Sequence, residues 1–184
     1  MIVVNFEGVS GVGKSTAKEA MVRMLEKEKI GVLEYKGFGP HELSAEIWDV
    51  YISFEHLILS RLVGRNDSQK VVLVLDRAFS ELAYQPQTLK SWVKLFANDY
   101  DDKLILVYMT CKDCELVNRE SKDVNKDRFK TLIDSYEIAI KELKRINPKI
   151  KLLRIDSTDN SSEKCAEIII KEIKKHGAKK QRHN

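Results

Sequence analysis

Residues 8–16 read GVSGVGKST, a run in which glycines, a lysine and a hydroxyl stand at fixed spacing between an apolar stretch and a helix-forming one. Gly8, Gly13, Lys14 and Ser15 satisfy G-x-x-x-x-G-K-[ST], and a flanking strand and helix make the pattern a phosphate cradle rather than a plain turn. The glycines let the backbone curl so that several N–H groups point inward, the start of the helix adds partial positive charge, and Lys14 contributes a full one. Ser15 offers its hydroxyl to Mg2+. The expected cradle comprises Gly8, Ser10, Gly11, Val12, Gly13, Lys14, Ser15 and Thr16.

The rest of the chain repeats the alternation that the cradle requires. Short β-branched runs, Ile2 to Phe6, Val32 to Tyr35, Val71 to Leu75, Leu104 to Met109 and Ile150 to Ile155, are separated by helical patterns. Unbroken apolar character in the first, third and fourth predicts strands buried on both faces of a parallel sheet. Ala17, Met21, Met24 and Leu25 share one helical face. So do Phe129, Leu132, Ile133, Tyr136, Ile140 and Leu143, in a periodicity that Pro148 ends. Asn160 and Glu163, three apart, predict the cap of a last helix with Cys165, Ile168, Ile169 and Ile173 inward. The pattern predicts an open α/β sheet with ligands beyond the carboxyl ends of its strands. KGFGPHELS, ending at Ser44, and the segment Ser121 to Asp127 are loop candidates of the kind that cover such sites.

A chain of 184 residues with 43% hydrophobic content suits one domain, expected over residues 1–175. Lys174, Lys175, Lys179, Lys180 and Arg182 crowd its end, and without these five the formal charge of +4 becomes −1. A near-neutral body carries no basic stripe for nucleic acid, so residues 176–184 are read as a solvated basic tail. Cys111, Cys114 and Cys165 are too few and too odd for a disulfide scaffold, and the C-x-x-C of CKDC lacks the further ligands that zinc needs. No basic leader or membrane-spanning run is expected, and the reading is a cytoplasmic protein without a membrane partner.

Bound triphosphate leaves the reaction open. A guanine-selective Asn-Lys-x-Asp element is missing, since Asn125-Lys126-Asp127-Arg128 carries its acid one place early. The discriminating segment is VVLVLDRAFSELAYQ. A buried strand ending in Asp76 puts a carboxylate where it can reach a magnesium shell or an attacking group, and the fork of Arg77 suits a second phosphate.

With both motifs in view, the sequence resembles the thymidylate kinases and, more broadly, the P-loop nucleoside and nucleotide kinases. FEGVSGVGKST is similar to their opening Phe-Glu-Gly and cradle, DRAFSELAYQ to their Asp-Arg string ending in Ser-x-x-Ala-Tyr-Gln, and CELVNRESKDVNKDRF stands where they have an arginine-bearing lid. The resemblance implies a three-layer fold with a five-stranded parallel sheet, helices and a lid, and phosphoryl transfer from ATP with Mg2+. It assigns Lys14, Asp76, Arg77, Arg119 and Arg128 to catalysis, with Ser15 and Asp76 on the metal. Arg61, Arg77, Ser80, Tyr84 and Gln85 fall on the acceptor side, where Phe38 offers a stacking face. Val12 supplies no arginine inside the cradle, so the lid arginines would bring the positive charge that the transition state needs.

Four departures mark the acceptor side. Ser10 stands where the family usually has an acid, one residue is missing between Arg77 and Ser80, EYKGFGP replaces an Arg-Glu-Pro string, and LILSRL has leucines in place of a base-stacking phenylalanine. The expectation is a nucleoside monophosphate kinase acting on dTMP. The alternatives are a kinase of a nucleoside or another small hydroxyl compound, and a regulatory module that binds ATP without transfer. The helix expected from Glu42 to Val63 carries Ile47, Trp48, Tyr51, Phe54 and Leu57, which suit a homodimer contact and the core equally.

Overall fold

The structure is a computed structural model that describes residues 1–36, 71–76, 103–112 and 126–180. Five strands, β1 (Ile2–Glu7), β2 (Gly31–Lys36), β3 (Val71–Asp76), β4 (Leu104–Thr110) and β5 (Lys151–Asp156), pair in parallel in the order β2-β3-β1-β4-β5. Three helices are described, α1 (Lys14–Lys27), α2 (Lys126–Ile146) and α3 (Ser162–Lys180). All five expected strands are present, each within about a residue of its expected ends. The three that the sequence marks as continuously apolar are the central ones.

Burial follows that order. Val3, Val4, Phe6, Leu73, Leu75, Ile105 and Val107 are essentially inaccessible, whereas the edge strands leave Leu33 of β2 and Arg154 of β5 exposed. Alternation along β4 divides the helices between two faces. Tyr108 faces Tyr136 of α2, ring centroids 5.7 Å apart, and Arg154, its register partner on β5, lies 5.3 Å from the Tyr108 ring centroid. Arg154 also holds Glu137 of α2 through two bonds of 2.6 and 2.7 Å. Burial pushes the Tyr108 phenol up to about 12, with the Glu137 charge adding to the shift. Met109 faces the other way, toward α1 and α3, whose Ala17, Met21, Leu25, Cys165, Ile169 and Ile173 complete the core on that side.

One expectation needs correction. Ser161, not Asn160, caps α3: its hydroxyl accepts from the Lys164 amide at 3.2 Å, while the Asn160 side chain turns back to donate to the Asp156 carbonyl at 2.7 Å. The last helix runs on to Lys180, through Gly177 and into the stretch expected as a basic tail from residue 176. Pro148 does end α2, and the Lys144 ammonium donates to the carbonyls of Pro148 and Ile150 just past it. The expected helix Glu42 to Val63 and the lid lie outside the described residues, apart from the last four lid positions, Lys126 to Phe129, which open α2.

Candidate active site

β1 and β4 lie side by side, and their connections leave in opposite directions, one toward β2 at one edge and the other toward β5 at the other. That divergence opens a crevice at the carboxyl end of the sheet, and the glycine loop occupies it. Gly8 has φ 132°, and a side chain there would run into the Met109 carbonyl oxygen. Gly13, with φ 81°, turns the chain in the left-handed region into the first turn of α1. Only glycine adopts both conformations without strain. The loop is then tied from within: the Lys14 ammonium donates to the carbonyls of Gly8 at 2.7 Å and Val9 at 2.6 Å, and the Thr16 hydroxyl donates to Gly13 at 2.9 Å.

Ser10, Gly11, Gly13, Lys14, Ser15 and Thr16 line a cavity of about 500 Å³, whose opposite wall is Met109, Ser157, Asn160, Ser162 and Cys165. A bound nucleotide is the size of ligand such a space admits. Val12 is fully buried in the core and Gly8 is buried beneath the loop, so these two cradle positions seat the loop whose other residues line the cavity.

The far wall is what the sequence did not disclose. The Ser157 hydroxyl lies 2.8 Å from the Val12 carbonyl and 3.1 Å from that of Thr110, so it stitches the loop after β5 to the cradle and to β4. The Asp156 carboxylate accepts from the amide and hydroxyl of Thr158, and those bonds hold its pKa below the ordinary carboxylate value. A serine one residue past an apolar strand was the available signal, and it is a weak one. Cys111 follows β4 directly, buried and free, with the Thr158 hydroxyl 3.9 Å from its sulfur; Cys114 lies outside the described residues.

Asp76 ends β3 in register with Phe6 of β1, two residues before the cradle. It does not line the cavity. Its Oδ2 accepts a bond of 2.9 Å from the Lys18 ammonium, which also lies 3.3 Å from Glu34 of β2. Burial alone would lower the Lys18 pKa, but the hydrogen bonds and charges of Asp76 and Glu34 outweigh it and hold it above the ordinary lysine value. Lys18 sits one turn after Lys14, within the stripe that also buries Ala17, Met21 and Leu25. A lysine interrupting an apolar stripe was the sequence signal. Phe38, Arg61, Arg77, Ser80, Tyr84, Gln85 and Arg119 lie outside the described residues, and Arg128 falls in the first turn of α2.

No protein-family model matches the sequence, and comparison with curated proteins finds no match. Solved structures do match. YorR from Bacillus subtilis, solved in complex with phosphorylated GDP, superposes with TM-score 0.66 at 15% identity, over 94% of this chain and 95% of its own. Thymidylate kinase from Candida albicans gives TM-score 0.61 at 16% identity, over 96% and 93%. With the parallel sheet and the cradle, these likenesses establish a three-layer α/β fold of the P-loop nucleotide kinase kind.

Proposed function

We propose that the chain transfers the terminal phosphoryl group of ATP to a nucleoside monophosphate in the manner of a thymidylate kinase, dTMP and ATP giving dTDP and ADP. The observation that carries the reading is the tied glycine cradle at the carboxyl edge of a parallel sheet, with a carboxylate ending the adjacent strand. The amides of the loop and of the first turn of α1 bind the donor phosphates, and the buried Lys14 ammonium adds a full charge beside them. Ser157 and Asn160, on the far wall, bound the space for the rest of the nucleotide.

The Ser15 hydroxyl on the cavity wall and the Asp76 carboxylate, which ends the strand beside the cradle, are hard oxygen donors that would suit a magnesium ion. That donor set suits an ion held largely through nucleotide phosphates, where it would neutralise their charge. In this reading Arg77 grips the acceptor phosphate, Arg119 and Arg128 close over the transferring group, and Phe38, Arg61, Ser80, Tyr84 and Gln85 form the acceptor pocket. The buried free thiol of Cys111 supports a reducing, cytoplasmic setting. Among the described residues no helix is long and apolar enough to cross a membrane.

The deciding experiment incubates the protein with ATP, Mg2+ and each nucleoside monophosphate in turn. A nucleoside diphosphate product supports the proposal, and ATP consumed no faster than by water alone ends it. A monophosphate formed from a nucleoside would favour the alternative kinase. Tight ATP binding with no transfer would favour a regulatory module.

A further inference from the structure

We propose that Lys18 is a positioning residue for Asp76, fixing the carboxylate that the phosphoryl-transfer reading places on the magnesium shell. The inference rests on that reading for the role of Asp76, and on geometry for the rest. Three elements meet at the Lys18 ammonium: α1 brings the lysine, β3 brings Asp76 at 2.9 Å, and β2 brings Glu34 at 3.3 Å. The lysine side chain is 7% exposed, and a lysine is rarely so buried unless paired. Glu34 and Asp76 lie on the same face of the sheet, because Glu34 pairs with Val74, two residues before Asp76.

A surface ion pair would merely decorate the fold, whereas this one joins two parts of the site. Lys14 and Lys18 are one turn apart on the same helix, so the element that presents one ammonium to the phosphates presents the other to the carboxylate. Any displacement of α1 moves both. Lys18 engages Oδ2 of Asp76, so Oδ1 is the oxygen that would be left to an ion. Glu34, half-exposed and more distant, is the weaker of the two carboxylate partners of the ammonium. Such outer partners orient a metal ligand, and their loss typically lowers metal affinity or activity about 10- to 100-fold.

The test measures ATP affinity by calorimetry with and without Mg2+, alongside kcat and KM. In Lys18→Met the Mg2+-dependent gain in ATP affinity should fall about tenfold or more, and kcat should fall more than KM for ATP rises, because the Lys14 cradle is intact. Lys18→Arg should restore both. Removing the lysine leaves two carboxylates facing one buried gap, so Lys18→Met with Glu34→Gln is the variant to use if the single change does not fold. Glu34→Gln alone should keep the Mg2+ effect, since Asp76 is still held. The inference is overturned if the folded double variant keeps the wild-type Mg2+ dependence, or if Glu34→Gln loses as much as Lys18→Met. Absence of transfer by the wild type would count against the reading of function instead, and ATP binding would still report on Lys18.

Discussion

The cradle after β1 and the carboxylate ending β3 stand on neighbouring strands, yet they are held in opposite ways. The cradle is tied by its own neighbours: Lys14 bonds back over five and six residues to Val9 and Gly8, and Thr16 over three to Gly13. Asp76 is held by a residue 58 positions away in sequence. A site built from local bonds carries its plan in a short motif, while one built across elements shows only after folding. The two halves should therefore respond differently to substitution.

Lys14→Ala should give the largest effect, a loss of transfer on the order of 10³-fold, because the cradle then lacks its full charge. Steady-state kinetics would show it, and a loss under tenfold would break the claim that this half drives the chemistry. Asp76→Asn should lower kcat about a hundredfold, or roughly 2.7 kcal/mol, with a smaller rise in KM for ATP of about tenfold. An equal rise in KM would mean that the carboxylate belongs to donor binding after all. Gly8→Ala should cost about 2 kcal/mol of stability, measured by denaturant unfolding, since φ 132° and the Met109 carbonyl both oppose a side chain.

Smaller effects belong to the supports. Ser157→Ala should destabilise by about 1 kcal/mol and weaken ATP binding a few-fold, as the Val12 and Thr110 carbonyls lose a common donor. Glu137→Gln should cost about 0.5 kcal/mol at neutral pH, because its Arg154 pair is close to half exposed. The Arg154 hydrogen bonds hold the Glu137 pKa below its ordinary 4.5, so the stabilisation is complete above that value and vanishes as pH falls through the lowered one. Thermal melts of both forms should converge in acid, and a difference persisting there would contradict the pairing.

The sheet was legible because burial on two faces writes itself as unbroken apolar runs, and β1, β3 and β4 are the buried centre. The cradle was legible because its glycines and lysine are constrained by backbone geometry alone. Lys18 was not, since a lysine looks solvated until two acids from other strands are brought to it. Ser157 was hidden for the same reason, its partner Val12 lying 145 residues earlier. The α3 cap was misassigned because Asn160 and Ser161 are both competent to cap, and the Asp156 carbonyl claims the former.

α3 begins at the cavity, where Ser162 and Cys165 form part of the wall, and continues for 19 residues. At about 1.5 Å per residue, its far end is carried roughly 27 Å from the nucleotide space. A dye or an immobilising handle attached beyond Lys180 would thus ride on a rigid strut away from the chemistry. The opposite end of the same helix is where a bulky label would obstruct it.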